Sequence, residues 1–150
     1  MKIRLAISDE HMEEVIQLLE SKGIEIDDDA EYTLIQNNKY VEHITTKNEK
    51  TGEKAYISVD EILYIESFGH QIEIRTSDGL YLGKDPLYQL EGMLEPKKFT
   101  RISKSVIVAN AKIKQINPSF AMKFTLIMVD GKKLEVTRSY YNSFKNVFHI

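Results

Sequence analysis

Residues Lys97 to Asn110, KKFTRISKSVIVAN, decide the fold that this sequence predicts. The stretch begins with basic residues, continues through threonine and serine hydroxyls, and ends in the β-branched run Val106-Ile107-Val108. A short apolar run of this kind is typical of a strand that is buried on both faces. We therefore expect a buried strand here, with a basic run leading into it.

The segments on either side of this run predict further antiparallel strands at short spacing. Asp78-Gly79 and Asp130-Gly131 are strong signals for hairpin turns. Two short helices are expected: one begins with Asp85 as the N-cap and Pro86 at the first helical position, and the other runs from Ser139, its cap, to Phe148. The strand candidates, beside the central run, are residues 41–46, 55–59, 62–65, 71–76, 80–82, 113–116, 123–129 and 133–136.

A different pattern precedes this β-rich region. Residues 2–7 alternate between polar and apolar side chains, as a half-buried strand does, and Ser8 is a suitable N-cap for the helix that follows. That helix carries an apolar stripe of Met12, Val15, Ile16 and Leu19, which we expect to pack on its own sheet, with self-association as the alternative. We predict a small acidic β-α-β unit over residues 1–40 and a second domain over residues 41–150.

The formal net charge of −3 hides an uneven distribution of charge along the chain. Residues 1–49 contain five Lys or Arg against twelve Asp or Glu, whereas residues 97–150 contain eleven against two. Clustered Lys and Arg favour a phosphate-bearing partner, DNA or RNA, and solubility is the alternative explanation. RNA-binding sheets need exposed aromatic side chains, and since we expect Tyr56, Tyr64 and Tyr81 to pack, DNA is favoured.

The sequence contains no recognisable catalytic or metal-binding pattern. It has no cysteine, so disulfides and thiolate ligands are excluded, and its four histidines do not have metal-ligand spacing. The acidic triplet Asp27-Asp28-Asp29 reads as a solvated turn, because adjacent side chains of an extended chain point to alternate sides. No apolar run approaches the roughly 20 residues that span a bilayer. We expect a cytoplasmic protein with no cofactor, no metal and no enzymatic activity.

Four segments, in this order, resemble the LytTR DNA-binding domain of bacterial transcription regulators over roughly residues 45–150. They are Ser58 to Ser67 (SVDEILYIES), the pattern Phe99-x-Arg101-Ile102-Ser103-Lys104-Ser105-x-Ile107-Val108, Asp130-Gly131, and Val136 to Tyr140 (VTRSY). The resemblance implies a mainly β fold, elongated and built of stacked antiparallel sheets with short helices, preceded here by the small α/β unit. It also implies a response-regulator-like protein, although a stand-alone one without a receiver domain.

The resemblance further implies that loops, rather than a recognition helix, enter successive major grooves of double-stranded DNA. The contact positions of the family fall on His70, Lys104 and Arg138, with Arg101 and Ser103 beside them to contact phosphate or to hold the loop. Arg138 is the strongest candidate for a base contact. This chain departs from the family pattern at Ala109, where an asparagine is usual; Asn110 follows one position later, so either the loop is shifted or that polar role is lost.

Each candidate residue also has a simpler explanation. His70 can merely end a turn, Lys104 can be an ordinary surface lysine, and Arg138 can pair with Glu135 or Asp130. The competing function is a protein-interaction or sensor module that has lost DNA binding. For a regulator, the expected partners are promoter DNA with repeated sites, a second protomer as a dimer or in tandem, and a regulatory protein.

Overall fold

The computed structural model describes residues 1–7, 9–36 and 40–150, and these form three sheets and three α-helices. The first sheet is parallel and small, with the strand order β2-β1-β3. Its strands are β1 (Lys2–Ala6), β2 (Glu25–Ile26) and β3 (Tyr32–Ile35), and helix α1 (Met12–Ser21) connects the first two. The apolar stripe of α1 packs on Ile3, Leu5 and Ile7, as the sequence predicted.

The second sheet contains seven antiparallel strands in the order β5-β4-β8-β7-β6-β10-β9. Helix α2 (Leu87–Met93) lies between β8 and β9 in the chain. The third sheet is a meander of three strands, and helix α3 (Tyr141–Phe148) follows it. The strand bounds are β4 (His43–Asn48), β5 (Lys54–Ser58), β6 (Ile62–Phe68), β7 (Gln71–Thr76), β8 (Leu80–Gly83), β9 (Phe99–Ser103), β10 (Val106–Ala109), β11 (Ile113–Ser119), β12 (Lys123–Met128) and β13 (Lys133–Val136).

Strand β10 separates the two hydrophobic clusters of this β-rich region. Ile107 and Ala109 belong to the cluster that includes α2, whereas Val106 and Val108 belong to the one that includes the third sheet and α3. All four residues are buried, because successive side chains of a strand point to opposite faces. The predicted buried strand is therefore confirmed, and so is a mainly β fold of antiparallel sheets with short helices.

Two predictions of local structure are wrong, and one strand was not predicted. Asp85 does not cap α2: Pro86 is extended (ψ 160°) and occupies the N-cap position itself, so Asp85 lies one position too far from the helix. Ser139 does not cap α3, since it lies inside a 3-10 turn over Arg138–Tyr140. Strand β9 was not expected, because three of its five residues are polar; pairing with β10 places Thr100 and Ser103 in the interior.

Two further predictions fall on parts of the chain that the structure does not describe. The proposed helix cap Ser8 is one, and residues 37–39, beside the expected domain boundary at residue 40, are the other. The division into domains 1–40 and 41–150 therefore stays a prediction.

Candidate nucleic-acid interface

Three connections of the β-rich region lie beside one another, and we call them the three-turn face. They are the β6–β7 turn (residues 67–71), the β9–β10 turn (103–106) and the segment between β13 and α3 (137–140). The backbone N–H of Ser67 donates to the carbonyl of Ser105 at 2.8 Å, and that of Thr137 donates to the carbonyl of Ile102 at 3.0 Å. The sequence-predicted residues His70, Lys104 and Arg138 lie one on each turn and are exposed.

The β9–β10 turn is held by its own polar side chains. The hydroxyl of Ser103, which is buried, accepts a hydrogen bond from the backbone N–H of Ser105 at 3.2 Å. Arg101 donates from Nε to the carbonyl of Ser103 (3.1 Å) and from its guanidinium to the carbonyl of Lys104 (2.6 Å). Of the two roles expected for Ser103 and Arg101, holding the loop is the one that this geometry supports.

A long-range ionic contact fixes Arg101 in turn. Its guanidinium lies 3.2 Å from Glu91 of α2, and Glu91 also pairs with Arg4 of β1. All three side chains are largely buried, at 9–14 % exposure. Removal of the Glu91 carboxylate would therefore leave two buried guanidinium groups without their acidic partner. Nothing in the sequence distinguishes Glu91, because an acidic residue in a short helix is usually an ordinary surface residue.

Arg138 and Lys104 both face acidic residues of the N-terminal unit. Lys104 Nζ lies 3.7 Å from Asp29, and both side chains are substantially exposed. Arg138 lines a cavity of about 370 Å³ together with Asp29 and Glu31. The alternative pairing of Arg138 with Glu135 or Asp130 does not occur within the described residues.

Those two acids are engaged elsewhere. Glu135 pairs with Lys123 at 3.1 Å, and Asp130 accepts a hydrogen bond from the Tyr64 hydroxyl at 2.9 Å. Burial and this carboxylate raise the pKa of Tyr64 well above its ordinary value, which keeps the phenol protonated. The hairpin turn at Asp130-Gly131 is thereby tied to β6, beside the three-turn face.

An open groove of about 560 Å³ connects the second and third turns of the face. Lys104, Lys132 and Lys133 line it, alongside hydroxyl groups and two carboxylates. One of these, Glu66, lies 3.8 Å from Lys132. Exposed cations and hydroxyls in one groove are the groups that commonly contact phosphate oxygens of a nucleic-acid backbone.

Ala109 and Asn110, where the chain departs from the family pattern, lie at the end of β10. Ala109 is buried in β10, and the next residue, Asn110, bonds to the strand alongside: its side-chain oxygen accepts from the Thr100 hydroxyl at 2.6 Å, and its amide donates to the carbonyl of Lys97 at 3.2 Å. These bonds lie at the end of the β9–β10 hairpin opposite to the Lys104 turn. Asn110 therefore holds the hairpin and is not part of the three-turn face.

Replacing Asn110 with alanine is expected to destabilise the protein by about 1–3 kcal/mol, because the Thr100 hydroxyl and the Lys97 carbonyl lose their partner. Urea unfolding measures the change. Asn117→Ala, the same substitution at an exposed position of β11, is the control and should be near neutral. Weakened DNA binding by Asn110→Ala without loss of stability would contradict the structural role.

Two other features, a metal site and a membrane-spanning helix, are absent from the described parts of the chain. They contain no group of three or more His, Cys, Asp or Glu side chains that could hold a metal ion. None of their helices is long and apolar enough to cross a membrane.

The prediction that Tyr56 packs in the sheet is wrong, since its side chain is 71 % exposed and stacks on His43 at a distance of 4.6 Å between the ring centres.

Comparison with known proteins identifies the β-rich region. The profile of the LytTr DNA-binding domain matches residues 52–149. The sensory transduction protein LytT of Bacillus subtilis (strain 168) is 32% identical over 94 residues, which are 63% of this chain and 39% of that protein. The transcriptional regulatory protein LytR of Staphylococcus aureus (strain N315) is 33% identical over 72 residues, 48% of this chain and 29% of that protein.

A solved structure agrees with these sequence matches. The chain resembles a LytTr DNA-binding domain from Bacillus cereus with a TM-score of 0.69 and 24% identity, over 73% of this chain and 99% of that one. At this identity the likeness shows the fold. The chain spans less than half the length of the curated relatives that it matches.

Proposed function

Because the chain belongs to the LytTr DNA-binding domain family, we propose that it is a transcription regulator that binds specific sites in double-stranded DNA and has no catalytic activity. One observation carries the proposal beyond family membership. His70, Lys104 and Arg138 come from three separate turns. Backbone hydrogen bonds that join β6 and the segment after β13 to the β9–β10 hairpin support a shared face for the three side chains. Side chains on adjoining turns can contact a duplex together.

We assign the three residues different tasks. Arg138 reads a base, because a guanidinium can donate two hydrogen bonds to the O6 and N7 atoms of guanine in the major groove. Lys104 and the lysines of the groove neutralise phosphates, and His70 contacts the DNA beside them. Arg101 and Ser103 hold the Lys104 turn in shape. In this proposal the turns, rather than a helix, enter the major groove.

The wider features of a regulator are part of the same proposal. Two protomers occupy repeated sites in a promoter, as a dimer or in tandem, and a regulatory protein partner adjusts their activity in the cytoplasm. The packing of the apolar stripe of α1 on its own sheet favours a dimer contact elsewhere on the protein.

Fluorescence anisotropy with the DNA upstream of the protein's own gene tests the proposal. We expect the protein to bind this DNA, and a scrambled sequence to be a poor competitor. Binding should weaken steeply as the salt concentration rises, because each neutralised phosphate releases counterions. Binding that is absent, or equal for all sequences at every salt concentration, would instead favour the protein-interaction module.

Lys104→Gln is expected to weaken binding to specific and scrambled DNA alike, and to reduce the slope of log affinity against log salt by about 1, because one phosphate contact is lost. The measurement is a salt titration of the binding constant. Lys54→Gln is the matched control, since Lys54 is exposed on β5, at the edge of the seven-stranded sheet opposite to β9. An unchanged slope for Lys104→Gln would remove Lys104 from the interface.

A further inference from the structure

We propose that the acidic segment of residues 27–31 (DDDAE) is an autoinhibitory element that covers the three-turn face while the N-terminal unit is docked, and that DNA displaces it. The inference rests on the proposed function and adds regulation to it. The segment follows β2 and contains Asp27, Asp28, Asp29 and Glu31. Its four carboxylates oppose the approach of a phosphate backbone to the same face.

The segment contacts one of the residues that are proposed to bind DNA and shares a cavity with another. Asp29 pairs with Lys104 at 3.7 Å, and Asp29 and Glu31 line one cavity with Arg138. Lys104 and Arg138 lie on different turns, so one acidic segment covers two of the three turns. DNA phosphates and these carboxylates compete for the same cations, and both cannot occupy the face together.

The N-terminal unit docks on the β-rich region through polar contacts. From β1, Arg4 donates to Glu91 of α2 at 2.7 Å, and its guanidinium lies 5.2 Å from the centre of the Tyr140 ring. At a second point, Asp9 accepts hydrogen bonds from Tyr88 and Gln89 of α2. Interfaces between units that are built of polar and charged contacts open more readily than apolar ones.

Two features favour opening. The hydrophobic cluster of Ile3, Leu5 and Ile7 is covered by α1 of the same unit, so undocking does not expose it. In the docked state the Tyr140 hydroxyl is buried without a hydrogen-bond partner among the described residues, which is unfavourable. Burial raises the pKa of this phenol, and the guanidinium groups of Arg101 and Arg4 oppose the rise only in part. The contact of the Tyr140 ring with Arg4 of β1 puts this side chain at the junction between the two units.

Gly92 provides a variant that undocks the unit without changing a charge. A Cβ atom at this position of α2 would lie 2.8 Å from the carbonyl oxygen of Ala6 in β1, closer than real Cβ contacts allow. Gly92→Ala therefore pushes the unit away, while alanine is favourable within a helix. If nine tenths of the molecules are docked, removing the docked form tightens DNA binding about tenfold.

A second variant tests the acidic segment itself. Asp29→Asn/Glu31→Gln removes two carboxylates and is expected to tighten DNA binding, because Lys104 and Arg138 lose their acidic neighbours. Glu13→Gln/Glu20→Gln is the matched control, since it makes the same change in net charge on exposed positions of α1. If both double variants bind DNA equally more tightly than the wild type, net charge alone explains the effect and the proposal is overturned.

A reversible crosslink that holds the N-terminal unit docked tests whether docking inhibits DNA binding. The chain has no cysteine, so Asp9→Cys/Tyr88→Cys offers two unique thiols across the junction, at residues outside the three turns. Joining them with a short, reducible bismaleimide is expected to weaken DNA binding at least tenfold, and reduction of the linker should restore it. The uncrosslinked double variant is the control for the substitutions themselves.

The outcomes separate the two proposals. If the wild type, Gly92→Ala and the crosslinked protein bind promoter DNA equally, the acidic segment does not regulate binding and the proposed function survives. If none of these forms shows salt-sensitive, sequence-dependent binding, both proposals are overturned. Circular dichroism establishes that Gly92→Ala is folded; should it unfold, the Asp29→Asn/Glu31→Gln pair and the crosslink decide.

Discussion

Arg138→Ala is expected to weaken binding to the specific DNA site by about 5- to 150-fold, which corresponds to the 1–3 kcal/mol of one bidentate contact to a base. Arg138 is exposed on the three-turn face and has no ion-pair partner among the described residues, so its guanidinium is available to DNA once the acidic segment is displaced. Binding to scrambled DNA should fall much less, because that binding depends on phosphate contacts.

Arg138→Lys separates the charge from the geometry. Lysine keeps the cation and its attraction to phosphate, but it lacks the planar fork that donates two parallel hydrogen bonds. Affinity for scrambled DNA should therefore stay close to that of the wild type, while preference for the specific site is lost as in Arg138→Ala. Competition anisotropy with single-base variants of the site measures this preference. If Arg138→Ala retains the full preference, Arg138 does not read a base.

The parts of the fold that local sequence determines were predictable. The run Val106-Ile107-Val108 is β-branched and apolar throughout, and it became a strand buried on both faces. Asp130-Gly131 supplied the turn residues for the β12–β13 hairpin. The pattern of polar and apolar residues did not predict β9, because tertiary contacts determine this strand. It is rich in polar residues, and its burial depends on pairing with β10 and on packing against neighbouring elements.

The candidate interface, too, was predictable from the sequence only in part. His70, Lys104 and Arg138 were reached by resemblance to a family, and the backbone contacts between their turns are consistent with one face. The partners that control this face could not be read from the sequence. Arg4 and Glu91 are 87 positions apart, and nothing local to either residue indicates that they meet. The contact between Asp29 and Lys104 likewise depends on how the N-terminal unit docks on α2.

Phe144→Ala is expected to lower the free energy of unfolding by about 3–5 kcal/mol, the usual cost of removing a buried aromatic side chain. Phe144 is fully buried in α3, where its ring centre lies 5.3 Å from that of Phe124 and 4.5 Å from that of Phe148. It therefore joins α3 to the third sheet, next to the 3-10 turn that presents Arg138. Since small domains are stable by about 5–15 kcal/mol, much of the total would be lost.

Phe120→Ala is the matched control, because Phe120 is 94 % exposed at the tip of the β11–β12 hairpin and its loss should change stability by less than about 0.5 kcal/mol. Urea unfolding followed by circular dichroism measures both variants. Below its unfolding transition, Phe144→Ala should still bind DNA once the concentration is corrected to the folded fraction, since Phe144 lies in the core and not on the three-turn face. A loss of less than about 1 kcal/mol would mean that α3 is not part of the core formed by β9, β10 and the third sheet.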